Sequence, residues 1–415
     1  MAFDKDKQTA IIVNQLRQGI YKLIILAVVL CLFSCGDDVV VTIDKTDNAV
    51  PEPVVKINSI KLYIENSASM DGYVKGGADF KNAVHSYISE IKNLTDSVNL
   101  NFVNEKIIPM GGDITGFFKN LNTPDDFRKA GGKRSSTDIA VIINKVLDSA
   151  QANDVSVIVS DFIFSPGKKD ASRYLGEQQI IIKDIFSERL KNNPNFAVMF
   201  FRLTANFSGS YFNREDKTTK LQDQERPFYM LVIGQKNALK QIRDKVPESK
   251  IARRKDTDIQ MFIIENKIDM VVAEKIRPGS KKILKGKDSK GLKFALNVSI
   301  PNTCLIDKAF LENPDNYKIE DENFNLVIKS QNNDTYTHIF EFTSSVPQNT
   351  VLNVRLMKSK PDWIEQYNDD EGLNIDSALD KTYGLDAIVS GIFEAFTRGN
   401  DYYTQLPKIT INVKQ

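Results

Sequence analysis

Short apolar runs at residues 60–64, 155–159 and 197–203 alternate with stretches whose hydrophobic residues recur at helical spacing. No other feature restricts the fold as much. Runs this short and this uninterrupted suit strands covered on both faces, as in a parallel sheet flanked by helices. The clearest helical stripe is Ile139, Ile142, Ile143, Val146, Leu147 and Ala150. Phe80, Val84, Tyr87, Ile88, Ile91 and Leu94 make a second, and Ile181, Ile182, Ile185, Phe186 and Leu190 a third. A further strand-helix unit follows at 229–233 and 239–246, with Gly234 between them. The expectation is an α/β domain over residues 58–250, built on a doubly wound, mostly parallel sheet. Residues 204–224, polar and containing Gly209, read as an inserted surface loop.

The pattern then changes. Short strand-like runs at 294–300, 324–328, 337–342, 351–356 and 409–413 are separated by Asn, Asp, Pro and Ser. They predict a β-rich, sandwich-like carboxyl-terminal domain over 251–415. One helix interrupts it, with Leu385, Ile388, Val389, Ile392, Phe393 and Phe396 on one face. No internal repeat or low-complexity block is visible.

Residues 1–34 stand apart from both domains. Lys5, Lys7, Arg17 and Lys22 precede an apolar run at 23–33 that ends at Ser34-Cys35. As a helix that run rises only ~16 Å, about half a bilayer core, which suits a signal peptide better than a membrane span. Leu32-Phe33-Ser34-Cys35 resembles a bacterial lipobox. The resemblance implies cleavage before Cys35 and lipidation of its thiol, so that the mature protein is held to a membrane by acyl chains. Phe33 is larger than the residue usual at that place, and the alternative is an uncleaved amphiphilic anchor. Gly36-Asp37-Asp38 resembles the surface-export signal of some Gram-negative lipoproteins. The expected location is the cell envelope, as an outer-membrane lipoprotein. Residues 35–57, with Pro51 and Pro53, read as a flexible tether.

Charge narrows the partners. The chain has 55 Lys+Arg and 54 Asp+Glu, which excludes a globally basic nucleic-acid binder. The balance is uneven locally: residues 236–300 hold 17 basic and 8 acidic side chains, and residues 301–380 hold 6 and 15. Two solvated faces that neutralise each other account for this most simply; a salt-sensitive docking surface is the sharper alternative. Asp369-Asp370-Glu371 and Asp376 read as acidic surface, since their spacing lacks the pattern of a Ca2+ loop. After removal of residues 1–34 only Cys35 and Cys304 remain, so no disulfide framework exists. Cys304 reads as a buried small hydrophobe, and His85 and His338, the only histidines, as incidental.

The stretch richest in chemistry is Glu65-Asn66-Ser67-Ala68-Ser69-Met70-Asp71-Gly72, an apolar strand running into a carboxylate and two alternate hydroxyls. In an open parallel sheet, ligands bind at the carboxyl ends of strands. Oxygen donors of this kind suit a hard cation. The pattern resembles the Asp-x-Ser-x-Ser signature of von Willebrand factor type A domains, with Thr137 and Asp161 matching the threonine and aspartate of that family's metal-ion-dependent adhesion site. The resemblance implies a metal set of Glu65, Ser67, Ser69, Thr137 and Asp161, with Mg2+ as the ion and Mn2+ or Ca2+ as alternatives. It also implies engagement of a protein partner through the metal, with no turnover. Glu65 in place of the family's aspartate is the departure, and it bears directly on an ion that demands near-ideal octahedral distances.

Three alternatives stand beside this. Ser67, Ser69 and Thr137 could simply cap helices. Glu65 and Asp161 could serve a metal-dependent hydrolase, although no phosphate loop, HExxH motif or nucleophile elbow accompanies them. The chain could also be a metal-free structural subunit of an envelope or secretion assembly.

Overall fold

The computed structural model describes residues 39–44, 55–134, 138–165, 170–251, 259–272, 282–285, 290–302, 304–331, 336–346 and 348–413. Its centre is a seven-stranded sheet. The strands are β2 (Ile60–Glu65), β3 (Val98–Val103), β4 (Ile107–Pro109), β5 (Val155–Ser160), β6 (Phe196–Phe212), β7 (Thr218–Gln235) and β8 (Gln260–Glu265), after an amino-terminal strand β1 (Val39–Ile43) that lies elsewhere. Their order across the sheet is β4-β3-β2-β5-β7-β6-β8.

Of the three uninterrupted runs expected to be parallel, 60–64 and 155–159 pair parallel as β2 and β5, with β3 parallel on the other side of β2; the third, 197–203 in β6, is antiparallel to both of its neighbours. Every other pairing in the sheet is antiparallel. The sheet is therefore mixed rather than mostly parallel. The reason lies in residues 204–224, which form no surface loop. Leu203, Ala205 and Phe207 are buried while Thr204 and Asn206 between them are not, the period-two signature of a strand. They extend β6 into a long hairpin with β7, closed by a turn at residues 213–217. A turn that short forces antiparallel pairing, and β7 inserts between β5 and β6.

Helices cover both faces. On one, α1 (Asp79–Ile91) and α4 (Lys236–Lys245) bury Val84, Ile88, Leu239 and Ile242 against Leu62, Val157 and Val159. On the other, α2 (Ile139–Ser149) and α3 (Ala171–Asn192) bury Ile142, Ile143 and Phe186 against Tyr63 and Ile158. Consecutive residues of β2 and β5 thus feed two separate cores.

The second core continues without a break into the carboxyl-terminal half. It takes in Phe294, Phe342, Leu356 and Ile409, together with Ile388 and Ile392 of α5 (Leu385–Thr397). β8, from beyond residue 250, supplies the edge of the central sheet. The remaining strands form small sheets whose pairings are antiparallel except for a two-residue contact at 368–369 and 382–383. The basic and acidic segments interleave here: residues 292–298 pair with 338–344, and Lys293 reaches Glu341 at 3.5 Å.

The stretch expected to be a tether contains a strand. Val39–Ile43 is five residues, all β-branched, and pairs antiparallel with Ile409–Val413 at the other end of the chain. No helix among the described residues is long and apolar enough to cross a membrane.

Candidate functional site

Because β2, β3 and β5 are parallel and in register, their carboxyl ends share one edge of the sheet. Glu65 ends β2, Ser160 ends β5, and Asp161 follows directly after it. All three are buried. Glu65 accepts a hydrogen bond from the hydroxyl of Ser160, whose oxygen also accepts the Phe162 N–H at 2.7 Å.

After Glu65 the chain turns through residues 66–70 into a short helix, Asp71–Lys75. Met70 stands at the N-cap of that helix with no side-chain cap bond. Capping is therefore not what Ser67 and Ser69 do. Their hydroxyl oxygens lie 2.9 Å apart, and the Ser69 hydroxyl is near enough to Asp161 to favour its ionised form. Two hydroxyls after one strand end and a carboxylate after its parallel neighbour thus share one edge of the sheet. Burial pushes the Asp161 carboxyl above its ordinary range, opposed by the bonds from Ser69 and the Ile163 N–H and by the positive charge of Arg226.

Thr137 and Cys35 lie outside the described residues. Both neighbours of the 135–137 segment are described. Asp138 caps α2 by accepting the Val141 N–H at 3.2 Å. Arg134 clamps the loop after β2: its Nε donates to the Asn66 carbonyl at 2.6 Å and its Nη2 to the Ser67 carbonyl at 3.0 Å. Its guanidinium also pairs with Asp71, and its own carbonyl accepts the Ala68 N–H at 3.0 Å.

Further residues that sequence reasoning did not single out hold the site. Asn66, fully buried, accepts from Asn104 Nδ2 at 2.6 Å and donates to the Phe127 and Gly131 carbonyls. Gly72 lets the short helix approach the β6–β7 hairpin; a Cβ there would sit 2.2 Å from the Phe207 ring. Phe162, directly after Asp161, is buried with φ at 49°. That left-handed conformation is costly for an aromatic residue and is held by packing on Phe200 and Tyr229, at 5.6 and 6.1 Å between ring centroids. Asn66→Ala is expected to cost about 1–3 kcal/mol, because it strips partners from buried polar groups. Urea unfolding should show a lower midpoint at unchanged slope.

Arg226 is the other hidden element. It is 1% exposed and donates through Nη1 to the carbonyls of Ala378 at 3.0 Å, Leu379 at 2.9 Å and Lys381 at 3.4 Å. Its guanidinium also lies 4.9 Å from the Tyr211 ring centroid. Arg202, on the adjacent strand, donates to the Asp380 carbonyl at 2.8 Å and stacks 3.5 Å from the Tyr367 ring centroid. Tyr229 donates to the Thr382 hydroxyl at 2.9 Å. Since Tyr229 pairs with Ser160, these bonds pin residues 378–382 of the carboxyl-terminal half beside the edge where Asp161 sits.

Among the described residues, no three His, Cys, Asp or Glu side chains converge. The Ser67–Ser69–Asp161 set contains only one side chain of those types. The remaining sequence candidates lie elsewhere. Cys304 is buried beside Glu265, with its thiol pushed up by burial, so it is unreactive. His338 is buried, 3.4 Å from Glu312, and burial lowers its pKa. His85 packs edge-on against Phe118.

No protein-family model, curated protein or solved structure matches the chain.

Proposed function

We propose that this chain is a lipid-anchored cell-envelope binding module whose α/β half is a von Willebrand factor type A-like domain engaging a protein partner. Ser67, Ser69 and Asp161, completed by Thr137 and Glu65, would hold Mg2+ at the carboxyl edge of the sheet. The observation that carries this is the 2.9 Å approach of the two Ser hydroxyls, neither of them capping a helix, at the sheet edge where Asp161 follows the parallel strand β5. Hydroxyl and carboxylate oxygens are the donors that Mg2+ or Mn2+ takes, and Ca2+ accepts them too. When bound, the ion would supply an open coordination position for a partner's carboxylate. Helices on both sheet faces and the parallel β3-β2-β5 centre support the fold assignment; the antiparallel β7 is where the sheet departs from a doubly wound one.

Arg226 favours a second function, a metal-free structural subunit. Its fixed positive charge already offsets Asp161, and the carboxyl-terminal half is bonded over it. The hydrolase alternative has less behind it, because both carboxylates are buried and already hydrogen-bonded, Glu65 to the Ser160 hydroxyl and Asp161 to the Ile163 N–H.

Calorimetric titration with Mn2+ and Mg2+ separates the two functions. The adhesion-site function predicts one-site binding, with affinity reduced roughly 10- to 100-fold or more by Ser67→Ala and abolished by Asp161→Asn. No heat from either ion with the folded wild-type protein would sink the metal-bridged mechanism and leave the structural subunit.

A further inference from the structure

Strand β1 sits four residues after Cys35 and is locked into the folded body through its pairing with Ile409–Val413. Four residues of fully extended chain span at most ~14 Å. If Cys35 is acylated, as the proposed function holds, β1 therefore cannot leave the immediate neighbourhood of the lipid headgroups. The tether that would lift the folded part off the membrane is almost absent.

The sheet containing β1 has the order β1, then 409–413, then 350–352. Its inner face is core: Ile409, Ile411 and Leu352 are fully buried, with Val41, Ile43 and Val413 packed against them. Its outer face follows from the alternation along each strand. The register sets Thr42 beside Thr410 and Thr410 beside Val351, and Val40 beside Asn412. These five side chains are partly or fully exposed, and none is charged. Val346, 47% exposed, precedes Asn349, whose side chain accepts the Val413 N–H at 2.7 Å.

We propose that this outer face, Val40, Thr42, Val351, Thr410 and Asn412, is where the folded protein rests on the lipid surface that holds Cys35. A neutral, β-branched face can lie against headgroups without desolvating a charge, and the anchor supplies the membrane affinity that so small a face lacks. The proposal depends on acylation of Cys35 and adds to it an orientation: the carboxyl-terminal half faces the bilayer.

The test uses the mature protein acylated at Cys35 in phosphatidylethanolamine–phosphatidylglycerol vesicles, with a nitroxide at Thr410→Cys in a Cys304→Ala background. A control label goes at Lys217→Cys, whose side chain is 76% exposed in the β6–β7 turn. Val351→Cys serves as a second reporter if Thr410→Cys folds poorly. On reconstitution, accessibility of the Thr410 and Val351 labels to a water-soluble nickel chelate should fall about fivefold or more, with the Lys217 label unchanged, as expected for a face held against headgroups. Undiminished accessibility at both reporters, with mass spectrometry showing acylated Cys35, would overturn the orientation and leave the lipoprotein standing. Mass spectrometry showing unmodified Cys35 would overturn the lipoprotein and the orientation together.

Discussion

Arg226→Met should lower stability by roughly 3–5 kcal/mol at neutral pH, the range seen when one partner of a buried charged network is removed. Methionine fills much of the volume, so the loss is electrostatic and polar rather than a cavity. The Ala378 and Leu379 carbonyls lose the donor at 3.0 and 2.9 Å. Asp161 loses the positive charge that offsets its burial. The pH dependence identifies the cause. Burial already raises the Asp161 pKa in the folded state, so the stability tied to its protonated form is full below the unfolded value and lost as pH rises through the folded one. Without Arg226 that folded pKa rises further. The variant should therefore recover part of its deficit as pH falls from neutral toward the ordinary carboxylate range. Asp161→Asn in the same background should recover part of it at neutral pH, giving a double-mutant coupling of about 1 kcal/mol or more. Urea midpoints at two pH values measure both. Strict additivity would mean that Arg226 and Asp161 do not share a network, and the metal-free function would lose its basis.

The same residues mark how far the sequence could be read. β2 and β5 were legible because every position is buried or nearly so, leaving uninterrupted apolar runs. Ser67 and Ser69 were legible as two hydroxyls directly after a strand that ends in a carboxylate, and they do meet, through the turn at 66–70 rather than along an extended strand. β7 was not legible. Its apolar stretch predicts a strand but carries no sign of direction, and direction is decided by the hairpin it makes with β6. The alternation of Leu203, Ala205 and Phe207 was the available signal, hidden by polar neighbours. Arg226 was invisible for another reason: its partners are backbone carbonyls some 150 positions away, at residues 378, 379 and 381, and a carbonyl oxygen leaves no trace in side-chain identity. β1 resembled linker because its partner strand is at the far end of the chain, with Val39 opposite Val413. Five β-branched residues in a row were the clue.

Alkaline titration should produce the other large effect, a cooperative loss of structure near pH 11. Tyr73, Tyr87, Tyr229 and Tyr403 are at most 2% exposed and Tyr211 is 4% exposed. Burial raises every one of these phenols, Tyr211 and Tyr229 to about 12 and the other three further. The sign follows from linkage. A group whose folded pKa exceeds its unfolded value stabilises the fold below the unfolded pKa, near 10, and loses that contribution as pH rises through the folded pKa. Between pH 10 and 11 each such tyrosine removes up to about 1.4 kcal/mol. Five together remove several kcal/mol, a large share of the 5–15 kcal/mol typical of a folded domain. Absorbance of tyrosinate near 295 nm, followed alongside far-ultraviolet circular dichroism, distinguishes the two populations among the 13 tyrosines. Exposed phenols should ionise smoothly around pH 10 with the spectrum intact. The buried ones should then ionise in one step, coincident with unfolding. The Tyr73 hydroxyl donates to the Pro227 carbonyl, one residue from Arg226. Its ionisation in place would set a buried negative charge against a carbonyl oxygen, a cost that the nearby Arg226 offsets only in part, so unfolding is the easier route to the tyrosinate. Smooth ionisation of all the tyrosines with native circular dichroism would show that these side chains reach water and that the site is far more open than its burial indicates.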